Sequence, residues 1–132
     1  MRSITKDIEI TIDGNRTGFR LTKLDAFSGV TLLRLLMRLE EHHPNPTMLD
    51  LIASLSEDEL RSVMTAVFNH ISVLLPAGPH PVMTGSEWGY PELEHDTPTC
   101  MKLLLEGIAW SLSGFFGGGQ SKGVTAPADT AP

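Results

Sequence analysis

Hydrophobic and polar positions alternate first with a period of two. Ile8, Ile10 and Ile12 are separated by Glu9 and Thr11, which places three β-branched side chains on one face of a strand. Asp13-Gly14-Asn15 follows with turn chemistry, and Phe19 and Leu21 then alternate with Arg20 and Thr22. The pattern predicts a β-hairpin over residues 4–23. A two-stranded hairpin is marginal alone in water, so it must lie on something.

At Asp25 the period changes to that of a helix. Asp25 can cap a helix over about 26–41, in which Val30, Leu32, Leu33, Leu35, Leu36, Met37 and Leu39 leave only a narrow polar stripe. Such a broad apolar surface is either buried by the domain itself or shared with another protomer. His42-His43-Pro44-Asn45-Pro46 ends it, and a short helical turn over 47–54 is expected next. Ser56 and Glu59 form a capping box that opens a helix over about 57–75, with Leu60, Val63, Met64, Val67, Phe68, Ile71, Leu74 and Leu75 on one face. Residues 76–97, punctuated by prolines and glycines, read as one long loop without a long element of its own. A last helix, over about 98–116, has Met101, Leu104, Leu105, Ile108, Leu112, Phe115 and Phe116 as its main apolar face. Leu103 and Trp110 fall on the opposite side, flanked by Gly107, Ser111 and Gly114, which allow close backbone approach. From Gly117 to Pro132 there is no core-forming pattern, and a flexible tail is expected.

The expected fold is therefore α+β and mostly α. One globular domain over 1–116 packs an N-terminal hairpin on three main helices, and a tail follows over 117–132. The 132 residues, 41% hydrophobic and 20% charged, suit one domain with a genuine core.

Charge alters the functional picture. Seven basic against four acidic residues give residues 1–38 a net +3. Three basic against twelve acidic give residues 39–132 a net −9. An acidic body argues against nucleic acid as a partner. The split allows the basic end of one copy to meet the acidic end of another, or is simply an unevenly charged solvated surface. No apolar run approaches the ~18 residues of a membrane span. No secretory signal pattern opens the chain, so a reducing cytoplasm is the expected compartment.

Candidate chemistry is sparse. Cys100 is the single cysteine, so neither an internal disulfide nor a CxxC metal site can form. His42, His43, His70, His80 and His95 show no metal-ligand spacing. Cys100 falls in the first turn of a predicted helix, a place that can lower a thiol pKa, yet a small buried residue is the simpler reading. No catalytic, cofactor or metal site is expected. The apolar surplus instead points to protein contacts. Candidate partner-binding residues are Leu103, Trp110, Phe115, Phe116 and, in the 76–97 loop, Trp88. The competing readings are that Trp88 pins its loop to the body and that this loop covers Trp110.

Two segments resemble a known family: Ile8–Gly14 with Phe19–Phe27 and the leucine-rich helix after it, and Gly107-Ile-Ala-Trp-Ser-Leu-Ser-Gly-Phe-Phe116. Together they resemble the tail assembly chaperones of long-tailed bacteriophages. The 76–97 loop has no counterpart in that resemblance. What it implies is a late protein of the infected host's cytoplasm, absent from the mature virion. Such a protein binds and solubilises the tape measure protein and helps recruit tail tube subunits, without catalysis. The resemblance also implies self-association into a homo-oligomer and a longer form made by ribosomal frameshifting. Alternatives in other classes are a head–tail connector or tail terminator protein retained in the virion, and a small enzyme using Cys100 or the histidines.

Overall fold

A computed structural model describes residues 3–113. The hairpin forms as β1, Thr5–Ile12, and β2, Asn15–Thr22, joined at Asp13 and Gly14. Both turn residues take positive φ, 50° and 81°, the geometry a two-residue hairpin turn of the right twist demands. Gly adopts it without steric cost. Helix α1, Ala26–Glu40, starts where Asp25 accepts the Ser28 N–H at 3.1 Å. Helix α2, Met48–Ala53, has a capping box of Thr47 and Asp50. Helix α3, Glu57–Phe68, has the capping box of Ser56 and Glu59. Helix α4, Thr97–Ser111, is capped by Asp96 with Pro98 in its first turn. The fold is α+β, with α1, α3 and α4 as the principal helices. No helix of the described residues is long and apolar enough to cross a membrane.

Two expectations are corrected. The helix expected over 57–75 ends at Phe68, and Ile71–Leu75 is a strand, β3, paired antiparallel with β2. Asn69 makes the break. Its side-chain nitrogen donates to Thr65 O, ending the helix, and to Gly85 O at 2.9 Å, while its side-chain oxygen accepts the Gly85 N–H at 2.8 Å. Residues 76–97 are also not one loop. They contain β4, Gly78–Pro81, a small ribbon of β5, Met83–Thr84, with β6, Glu87–Trp88, and a 3-10 turn at Pro91–Leu93. Each element is short, but Val82 and Leu93 within the stretch are fully buried. The hairpin is thus half of a four-stranded antiparallel sheet in the order β1-β2-β3-β4. Pro79 and Pro81 blunt its β4 edge, since neither can donate to a further strand.

The core lies on one face of this sheet. Ile10, Phe19, Leu21, Ile71 and Val73 point from the strands toward α3 and α4. The opposite face carries the Arg20–Asp7 and Arg16–Glu9 ion pairs. Gly107 lets α4 approach closely: a Cβ there would stand 2.6 Å from Val67 Cγ1. The expected final turns of the last helix with Phe115 and Phe116, and the expected tail over 117–132, lie outside the described residues.

Candidate functional site

The most distinctive surface is an open groove of about 530 Å³ between α1 and α3. Leu24, Phe27, Leu32 and Leu35 form one wall, and Val63, Ala66 and Val67 the other. The two helices run antiparallel and are tied at both ends. Arg38 of α1 pairs with Glu59 of α3 at one end. At the other, Asp25 lies 3.7 Å from His70, just past the end of α3. The Ser56 N–H, then Arg38, holds the Glu59 carboxyl below its ordinary value, and the Ser28 N–H does the same for Asp25. The ends therefore carry charge and hydrogen bonds, and the walls between them are mainly apolar, interrupted by Thr31 and Ser62.

Helix α1 packs Leu33, Leu35 and Leu39 partly against the core but leaves other apolar side chains open. Leu32 and Leu36 are buried, but Phe27 is 88% exposed, Val30 56% and Met37 51%. Of the two readings of this helix, burial by its own domain therefore applies to one side only. Nothing in the sequence marked α3 as the second wall of a groove. Val63 and Val67 read there simply as core positions.

The sequence-derived candidates separate. Leu103 is fully buried, so it is corrected from a contact residue to a core residue. The buried face of α4 runs through Thr99, Cys100, Leu103, Leu104, Gly107 and Ile108. Gly107 was the available signal, because a small residue marks the side where another backbone or side chain comes close. Trp110 is half-buried. Its indole N–H donates to Ile4 O at 3.1 Å, and the ammonium groups of Lys23 and Lys6 stand 4.7 and 5.9 Å from its ring centroid. These contacts come from the N-terminal strand region. Trp88 is half-buried with its ring 5.9 Å from that of Phe68, which pins β6 to the body. Phe115 and Phe116 lie outside the described residues.

Cys100 donates from Sγ to Leu93 O at 3.1 Å. Burial, with a contribution from Asp96, pushes its pKa up, the reverse of the lowering that a first-turn position suggested. His43 contacts Ser54, His70 Ala66 O, and His80 Gly89 O, each within its own neighbourhood. Among the described residues, no three His, Cys, Asp or Glu side chains are grouped to hold a metal. In comparisons against family models, curated proteins and solved structures, the chain has no match.

Proposed function

We propose that this protein is a tail assembly chaperone of a long-tailed bacteriophage, holding helical segments of the tape measure protein in the α1–α3 groove. The observation that carries the proposal is the groove itself. Two helix walls stand apart with apolar side chains between them, and an exposed Phe27 stands at the rim. An amphipathic helix offering apolar residues at i, i+3/i+4 and i+7 fits such a trough. The resemblance of residues 8–27 and 107–116 to these chaperones supports the identity of the client. A tape measure is a long, largely helical rod that aggregates when bare, so covering its apolar faces keeps it soluble while tube subunits assemble around it. On this reading the protein self-associates along its client, acts in the host cytoplasm and leaves before the virion matures. A frameshifted longer form belongs to the same proposal.

The test is co-expression with the tape measure protein of the same genome. The wild-type chain is expected to keep that protein soluble. A Phe27→Asp, Leu35→Ser variant is expected to keep its circular dichroism and lose this effect. A tape measure protein equally soluble with the groove variant, or with no partner, overturns the proposal. So does mass spectrometry that finds this protein in purified virions, the outcome a connector or tail terminator gives.

A further inference from the structure

We infer that the surface formed by Lys6, Lys23 and Trp110 docks the acidic segment 87–94 of a second copy, so that copies associate head to tail. This deepens the self-association in the proposed function and does not depend on the client.

The basic surface is built by the hairpin and the end of α4. Lys6 of β1 shares the core-facing side of its strand with Ile8 and Ile10. Lys23 follows β2 and continues the ladder through its N–H to Ile4 O at 2.9 Å. Both ammonium groups reach the ring of Trp110, one from each strand. Two like charges over one indole repel, and a shared anion relieves that repulsion. No carboxylate of the described residues lies within 4.0 Å of either one. Of the acids near them in sequence, Asp7 and Glu9 project from the other face of the sheet and are held by Arg20 and Arg16 at 2.8 and 3.1 Å, and Asp25, two residues after Lys23, is engaged in capping α1 through the Ser28 N–H.

The complementary surface lies at the other end of α4. Glu87, Glu92 and Glu94 are exposed, and no Lys or Arg of the described residues lies within 4.0 Å of them. Half-buried Trp88 and Tyr90 stand among them and supply apolar contact. Asp96, the next acid, is engaged in capping α4 through Thr99. Within one copy the two surfaces are not paired with each other: among the described residues none of the carboxylates of Glu87, Glu92 and Glu94 lies within 4.0 Å of Lys6 or Lys23. In the head-to-tail arrangement each junction leaves one pole free at either end, and the assembly extends or closes as a ring.

Sedimentation of the full chain alone, at tens of micromolar, tests this. In about 0.02 M salt the wild type is expected to form species beyond the dimer. These should diminish in about 0.5 M salt, where the screening length is several-fold shorter. A Lys6→Gln, Lys23→Gln variant and a Glu87→Gln, Glu92→Gln, Glu94→Gln variant are each expected to be folded monomers. Mixed together, they should form dimers and nothing larger, because each supplies the pole the other lacks. Either variant associating like the wild type overturns the inference. So does a wild type that stays monomeric, stops at a dimer, or associates equally in both salts. The absence of client from this experiment separates its failure from that of the groove proposal.

Discussion

Helices α1 and α4 have the same length, 15 residues, and both are rich in leucine. Their fates differ. On α4, Cys100, Leu103, Leu104, Gly107 and Ile108 are buried against the sheet and α3. On α1 only Leu32 and Leu36 are buried, and three large apolar side chains face water. The difference lies in what stands beside each helix, not in its own apolar content. Packing holds α4 along its length. Helix α1 is packed through Leu32 and Leu36 and tied at its ends, by Asp25 and by Arg38–Glu59, beside a groove that its own domain leaves open. An apolar helix face shows that something must cover it, and only the neighbouring elements show whether the same chain does so.

The contrast breaks most visibly under truncation. Leu104→Ala, on the buried face of α4, is expected to cost about 2–5 kcal/mol of folding stability. Phe27→Ala, on the open one, is expected to fall within about 0.5 kcal/mol of the wild type. Urea unfolding of the two variants measures both. Comparable costs would mean that α1 is packed as tightly as α4 and that the groove is closed in solution.

The sequence shows most of the local structure and little of what joins it. The hairpin, the start of α1 and the Ser56–Glu59 capping box were legible, because each is written in residues a few positions apart. The strand Ile71–Leu75 was not, since Ile71, Leu74 and Leu75 also continue the helical stripe of Val67 and Phe68. Short apolar runs fit both periods. The alternation of β-branched Ile71 and Val73 about Ser72 was the signal for a strand, and the deciding contact was the bond of Asn69 to Gly85, sixteen residues away. Leu103 was misplaced for a related reason. A helix wheel shows how wide an apolar face is but not where its neighbours stand. The groove was illegible because it is a relation between two helices.

Two glycines sharpen the comparison with a change of sign. Replacing a helical Gly by Ala gains roughly 1 kcal/mol where space allows. At Gly29 of α1 the nearest atom to a new Cβ is Leu24 Cβ at 3.9 Å, an ordinary contact. Gly29→Ala is expected to stabilise the protein by up to about 1 kcal/mol. At Gly107 of α4 the new Cβ meets Val67 Cγ1 at 2.6 Å, and Val67 is itself buried. Overpacking of this kind costs about 1–3 kcal/mol, so Gly107→Ala is expected to be net destabilising. Adding Val67→Ala should recover part of the loss, and a double-mutant cycle should show favourable coupling between the two sites. A stabilising Gly107→Ala would remove the close approach from the account of α4.

The smallest expected effect concerns pH. Asp25 and Glu59 both have carboxyls lowered from their ordinary values of 3.8 and 4.5, Asp25 mainly by the Ser28 N–H and Glu59 by the Ser56 N–H and Arg38. A folded-state pKa below the unfolded one contributes stability that is full above the unfolded value. It is lost as pH falls through the folded one. Both carboxylates serve the ends of α1: one caps it, and the other ties it to α3. Asp25 is exposed and Glu59 only half-buried, so the gain from each is modest and screened by salt. Acidification from neutral pH through this range is therefore expected to loosen α1 first, while the apolar packing of α4 persists. Amide hydrogen exchange, corrected for the intrinsic pH dependence of its rate, follows the two helices separately. Protection of residues 29–40 should fall while that of residues 101–111 holds. If both helices lose protection together, the packing of Leu32 and Leu36 holds α1 in place, and its charged ends do not.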